Sequence, residues 1–186
     1  MADPHGDSLA QLVELTERVD EDFAGIQARQ AGCMQCRAGC TDCCRTRLYI
    51  TRVEEALLRR GVARLSRTER QELAARARDP EQEMCPALDD DGRCQLYEWR
   101  PSICRSFGAP LRRRADVVLV NPPAIDVCDL NFIDVPLASL PAEDVLELTK
   151  LDRELEAIDD AYCEEHGHPK GERIGIAQVL ASLDED

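Results

Sequence analysis

The sequence has no stretch approaching the roughly 18 consecutive apolar residues of a membrane span, so no spanning helix is expected. Its first residues, MADPHGDSLAQLVELTERVDEDF, are charged throughout and lack the apolar core of a secretory signal. We therefore expect a cytoplasmic protein with its thiols reduced. There is no G-x-G-x-x-G, no Walker sequence and no H-E-x-x-H, which removes the motif case for nucleotide binding and for a zincin-type protease. A dense cationic face is also missing: the net charge is −14, and phosphate binding needs the opposite. Neither nucleic acid nor membrane is expected as a partner.

What the chain does have is cysteine. Ten in 186 residues is about 5%, below the roughly 8–10% of short disulfide scaffolds, and a chain of this length can bury a core without covalent staples. The cysteines are bunched. CRAGCTDCCRTRLYIT, residues 36–51, holds four of them in nine positions and places Cys43 beside Cys44. Charge is uneven too: residues 1–44 carry 3 basic and 8 acidic side chains, residues 45–114 carry 16 and 11, and residues 115–186 carry 4 and 18. The arginines of the middle third include Arg45, Arg47, Arg52, Arg93, Arg100, Arg105 and the run Arg112, Arg113 and Arg114. They are either a solvated face or a counterweight to thiolates bound to metal, since four thiolates around a divalent ion form a net anion.

Around the cysteines the pattern is helical at both ends and irregular in the middle, giving a mostly helical α+β fold. We expect one domain over residues 1–186: an N-terminal helix within 1–32, a cysteine-rich core over 33–131 with short strands and a hairpin, and a helical extension over 135–186. Ser8 to Arg29 repeats Leu12, Leu15, Val19, Phe23 and Ile26 at three- and four-residue steps. Thr51 with Glu54, and Ser66 with Glu69, are capping-box pairs opening two further helices, the first of them closed by Gly61. Residues 141–165 open on a proline and align Val145, Leu148, Leu151, Leu155, Ile158 and Tyr162, with Gly167 and Pro169 as the stop. A last helix is expected over Glu172–Leu183, and strands over Arg47–Thr51, Arg93–Tyr97 and Asp116–Val120.

Residues 84–107, MCPALDDDGRCQLYEWRPSICRSF, deliver three more cysteines on turning backbone. Asp90, Asp91 and Gly92 mark a tight turn in which glycine supplies the positive φ. This returns the chain after Cys85 toward Cys94. Pro101 then holds Arg100 extended and re-aims the chain so that Cys104 comes back to the same place. Cysteines carried by a loop, a hairpin and a turn suit a binding site better than a packed helical face.

In order and context, Cys36-x3-Cys40-x2-Cys43-Cys44, then Cys85-Pro-x-Leu-x5-Cys94-x2-Tyr97-x2-Arg100-Pro101-x2-Cys104-Arg105-x-Phe107, then Cys128-x2-Asn131, resemble the YkgJ-type cysteine-cluster family of zinc- or iron-chelating domains. The resemblance spans about residues 33–131. It implies eight metal ligands: Cys36, Cys40, Cys43, Cys44, Cys85, Cys94, Cys104 and Cys128. Cys33 and Cys163 fall outside its pattern. The family also contains a flagellin lysine methylase associated with an iron–sulfur cluster; the overlap with it concerns the cysteine segment alone.

Coordination chemistry fits this set. Chelating pairs with two- or three-residue spacers can turn both sulfurs inward, as Cys36 with Cys40 and Cys40 with Cys43 would. Adjacent cysteines in extended backbone point to opposite faces, so Cys43 and Cys44 are expected to serve two metal atoms or two edges of a polynuclear cluster. One structural zinc is the simpler occupant and would contribute on the order of 10–16 kcal/mol to folding. The adjacent pair and the excess over four ligands stand against it. An iron–sulfur cluster of the 4Fe–4S type is therefore placed ahead of zinc, with Arg100 and Arg105 as its outer partners.

Cys163-x2-His166-x-His168 also has ligand-like spacing. A helical cysteine is more often a small hydrophobe, and a histidine near a helix C-terminus interacts favourably with the dipole, which is the reading we prefer there. Trp99 is expected to pack on the hairpin and Pro122-Pro123 to stiffen a loop. Three functions stay open: a structural zinc module whose helices dock a protein or peptide, an iron–sulfur protein in electron transfer or in peptide or protein modification, and a thiol-redox or metal-storage protein. An open pocket beside the cluster, lined by Tyr97, Arg100 and Arg105, would favour the second. Oligomeric state is left open.

Overall fold

The computed structural model describes residues 6–113 and 125–183. The first helix, α1, runs Gly6–Arg29 and buries Leu9, Leu12, Leu15, Val19 and Ile26, the stripe its periodicity dictates. Helices α2 (Arg52–Val62) and α3 (Arg67–Arg78) open on complete capping boxes: Thr51 with Glu54, and Ser66 with Glu69. The long helix α5, Leu148–His166, ends where Gly167 turns left-handed at φ 71° and donates its N–H to the Cys163 carbonyl.

Three apolar clusters organise these elements. One joins Leu9, Leu12 and Leu15 of α1 to Val53 and Leu57 of α2 and to Ile158 and Tyr162 of α5. A second gathers Ile50, Leu58, Val62, Leu73, Val179 and Leu180, with Ala87 and Leu96 from the hairpin region. The third packs the end of α1 (Ile26) against Met34, Ala109, Leu111, Phe132 and Leu146. Each fully buried Leu or Val contributes roughly 1.5–3 kcal/mol, so these clusters hold the irregular centre in place. No helix among the described residues is long and apolar enough to cross a membrane.

The strands are two residues each. β1 (Tyr49–Ile50) pairs antiparallel with β5 (Ile174–Gly175). β2 (Leu111–Arg112) lies between β3 (Ile125–Asp126), antiparallel to it, and β4 (Leu146–Glu147), parallel. These pairings shift two expected helix starts. Residues from Pro141 form a 3₁₀ turn, Ala142–Asp144, and then β4, before α5 begins at Leu148. Buried Asp144 accepts from Arg29 Nε and Gln30 Nε2, both at 2.6 Å, and the Leu146 N–H donates to the Pro110 carbonyl, so tertiary partners override local helix preference. Likewise α6 is only Ile176–Ala181, because Ile174 and Gly175 are taken by β5. In place of the expected Arg93–Tyr97 strand there is one bridge, Leu88 to Cys94, and a 3₁₀ turn over Tyr97–Trp99. The Asp116–Val120 expectation and Pro122-Pro123 lie outside the described residues.

Gly61 is not the end of α2, which continues to Val62. It is a contact point: a Cβ there would stand 2.3 Å from Trp99 Cγ. Trp99 thus lies on α2 and packs against the α1–α2–α5 cluster. Gly61→Ala gains about 1 kcal/mol of helix propensity but overpacks this contact, at about 1–3 kcal/mol. Urea unfolding should show a net loss of stability; a gain would mean that Trp99 moves aside freely.

Candidate metal centre

The cysteines reach the centre from four segments. After α1 the chain turns through Gly39, at φ 82°, and enters a 3₁₀ turn over Asp42–Arg45 that carries Cys43 and Cys44. Because this pair sits in a helical turn and not in extended backbone, its sulfurs do not point to opposite faces. They lie 4.0 Å apart. The Cys85 N–H donates to the Cys44 carbonyl at 2.8 Å, which docks the second segment on the first.

The second segment is the expected hairpin turn. Gly92 has φ 72° and donates its N–H to the Asp89 carbonyl, and the Asp89 N–H donates to Arg93 O. Leu88 and Cys94 then bridge, bringing Cys94 back beside the Cys85 segment. Arg100 and Pro101 are extended, as proline requires, and helix α4 (Ser102–Ser106) presents Cys104. The start of α4 is fixed from a distance. Buried Glu54 accepts from the Thr51 N–H and hydroxyl through one oxygen and from the Ser102 N–H, at 2.9 Å, through the other. The carboxylate that caps α2 also positions the cysteine helix.

Electrostatics divides the eight thiols into two groups. Cys43, Cys44, Cys85, Cys94 and Cys104 form the larger: Cys44 is raised chiefly by the hydrogen bond it donates to Cys43, then by burial and by the charges of Cys43, Cys85 and Cys94. Cys43 is correspondingly lowered to about 7. Burial pushes Cys94 up to about 11, with Cys85 adding to it. Burial also raises Cys104, reinforced by Cys85, Cys94 and Cys43. Cys36, Cys40 and Cys128 form the smaller group. Cys128 is raised by burial, then by Asp42, Cys36 and Cys40. Cys36 is raised by burial and by Cys40 and Cys43, which links the groups. The supports differ as well: Cys85, Cys94 and Cys104 pack on the second apolar cluster, Cys36 on the third.

The donor set suits a thiophilic ion, because a bound cation removes the protons and relieves the mutual repulsion of crowded thiolates. Among the described residues, however, no three Cys, His, Asp or Glu side chains stand close enough to enclose an ion as they are.

The guanidinium hydrogen bonds of Arg100 and Arg105 run to protein oxygens. Arg100 donates to Asp20 Oδ1 at 2.8 Å and stacks over the Tyr97 ring at 3.7 Å. Arg105, only 7% exposed, pairs with Asp20 Oδ2 and donates to the Arg100 and Glu98 carbonyls at 2.8 and 2.5 Å. Asp20 on α1 thereby ties both arginines. The Arg100 charge still reaches the thiols, favouring ionisation of Cys43 and Cys94.

Cys33 packs on the third cluster, and its carbonyl accepts from the Phe132 N–H. Cys163 is wholly buried in α5, while His166 and His168 stack in a row on Tyr162, the nearer ring centroid at 3.9 Å. A cavity of about 180 Å³ lies on another side of α4, lined by Tyr49, Glu54, Ser102, Ile103, Leu151 and Arg173 among others, but by none of Tyr97, Arg100 and Arg105. It is not the pocket that the enzyme reading looked for. The roles of Glu54, Asp20 and Asn131 carried no local signal beyond the cap pattern and the Cys128-x2-Asn131 spacing.

With this geometry in view, residues 35–121 match the model of the CxxCxxCC family, described as a "putative zinc- or iron-chelating domain". The cysteine segment is thus similar to the CxxCxxCC family over those residues. No curated protein and no solved structure matches the chain. The matched residues include seven of the eight expected ligands; Cys128 and Asn131 lie beyond them. The zinc- or iron-chelating description of that family agrees with a donor set made of thiols.

Asp20 gives the domain's frame a direct test. Asp20→Asn weakens the partner of the buried Arg105 guanidinium and should cost about 1–3 kcal/mol in chemical denaturation. Glu17→Gln, on the exposed side of the same helix, should stay within about 0.5 kcal/mol. Equal effects would remove Asp20 from the frame.

Proposed function

We propose that the chain binds an iron–sulfur cluster of the 4Fe–4S type, with the five-thiol group of Cys43, Cys44, Cys85, Cys94 and Cys104 as its principal ligand source. Cys36, Cys40 and Cys128 complete the set of eight. The observation that carries this reading is the convergence of five cysteines from three segments: the Cys85 N–H donates to the Cys44 carbonyl, Leu88 and Cys94 bridge, and Cys85, Cys94 and Cys104 pack on one apolar cluster. Five exceeds the tetrahedral requirement of one zinc ion and leaves choice among the four cysteines of a cubane. Arg100 acts as an outer partner through its charge on Cys43 and Cys94, and Arg105 acts by holding the Arg100 carbonyl.

When bound, such a cluster supplies one-electron chemistry, which suits electron transfer or support of peptide or protein modification. The residues around it hold the sulfurs, limit solvent and set the local charge. A structural zinc module is the second reading. It is favoured by the way Cys85, Cys94 and Cys104 rest on an apolar cluster, where one ion would cross-link a loop, a hairpin and α4.

Purification without oxygen separates the readings. Iron–sulfur protein should be brown, with broad absorption near about 400 nm and iron and sulfide in stoichiometric amounts. A colourless protein with stoichiometric zinc would reverse the order, and a metal-free chain of full stability would end both. Single Ser substitutions at Cys43, Cys85, Cys94 or Cys104 should lower metal content and thermal stability together. Cys33→Ser should change little; if it matched Cys94→Ser, the boundary of the site would be wrong.

A further inference from the structure

The side chain of Asn131 is 3% exposed and meets three segments at once. Its Oδ1 accepts from the Gln35 N–H at 2.7 Å. Its Nδ2 donates to the Gly108 carbonyl at 2.7 Å and to Cys36 Sγ at 3.2 Å. The orientation of an amide is often ambiguous, but here the backbone decides it: a peptide N–H can face only oxygen, and a peptide carbonyl can face only nitrogen. The second Nδ2 proton is therefore left for the sulfur.

The surroundings are built to this arrangement. The Asn131 N–H donates to the Cys128 carbonyl, so the amide sits at the close of the turn that begins with Cys128. The next residues, Phe132 and Asp134, are held left-handed at φ 53° and 63°, conformations that cost side-chain-bearing residues of order 1–3 kcal/mol and persist only under firm constraint. Gly108 is at φ 103°, and a Cβ there would stand 2.7 Å from Cys36 Sγ. Sulfur and amide thus share a space that any other residue at 108 would take.

We propose that Asn131 is a positioning residue for the metal centre, holding Cys36 as a sulfur acceptor in line with the Cys128 turn. The inference rests on the metal-binding reading above. Its amide donates to the Cys36 thiolate when that sulfur is bound, and it ties the outermost ligand turn to the first. A residue acting in this way typically changes metal affinity by about 10–100-fold when removed.

A double-mutant cycle isolates the effect. Wild type, Asn131→Ala, Cys36→Ala and the double variant are loaded with iron and sulfide or with zinc, and metal release to a chelator is timed. Asn131→Ala should release metal about 10–100-fold faster when Cys36 is present and add nothing when it is absent. Equal acceleration in both backgrounds reduces Asn131 to general scaffolding and overturns the proposal. Asn131→Asp, which keeps the acceptor for Gln35 but offers oxygen to the sulfur, takes the place of the alanine variant if that one does not fold. Wild type that takes up no metal overturns the metal reading itself, a result distinct from additivity. A second readout covers a Cys36→Ala chain that loses its metal altogether: in the metal-free protein, Cys36→Ala should shift one of the two Asn131 side-chain amide proton resonances and leave the other near its place. No shift, or equal shifts, would overturn the contact.

Discussion

Crowded thiols repel one another once ionised, and the fold is arranged to bear that repulsion. Cys44, Cys85, Cys94 and Cys104 are all raised by burial and by their neighbours, so without a cation most of the group stays protonated. Cys43 alone is lowered, to about 7, because Cys44 donates to it. A bound ion reverses the balance, turning mutual repulsion into shared attraction. The dependence of metal affinity on proton release follows directly.

Holding such a group in range requires anchors that do not rely on the metal. They come from buried carboxylates, each joining distant parts of the chain. Glu54 caps α2 and fixes the start of α4; Asp159 of α5 accepts from the Val53 N–H at 3.0 Å; Asp144 holds the end of α1. Each is almost fully buried and hydrogen-bonded, the condition under which a buried charge is tolerated. Helix caps and cysteine segments are therefore parts of one frame. The smaller group, around Cys36 and Cys128, hangs on a different apolar cluster and on the Asn131 amide, and the two halves meet at the segment between Cys36 and Cys43.

Features with local causes were legible in the sequence. Both capping boxes, the left-handed Gly92 and Gly167, the extended Arg100 before Pro101 and the apolar stripe of α1 need only neighbouring residues to be read. What escaped was set by partners far along the chain. The parallel pairing of Leu111 with Leu146 displaced the start of α5, and the antiparallel pairing of Ile50 with Ile174 shortened α6. Gly61 looked like a stop because nothing nearby reveals Trp99 above it. The adjacent cysteines sit in a 3₁₀ turn and not in the extended backbone that their local sequence suggests. The cysteine segments themselves stood out, whereas Asp20, Glu54 and Asn131 are ordinary polar residues until the fold supplies their partners.

The central claim is that thiolates make up the first coordination shell. X-ray absorption at the edge of the bound metal, on protein loaded and kept without oxygen, reads that shell directly. The account expects sulfur scatterers alone, at about 2.3 Å, with iron–iron scattering in addition if the ion is part of a cluster. A shell of oxygen or nitrogen at about 2.0 Å would contradict it, because then the crowded cysteines would not be what holds the metal.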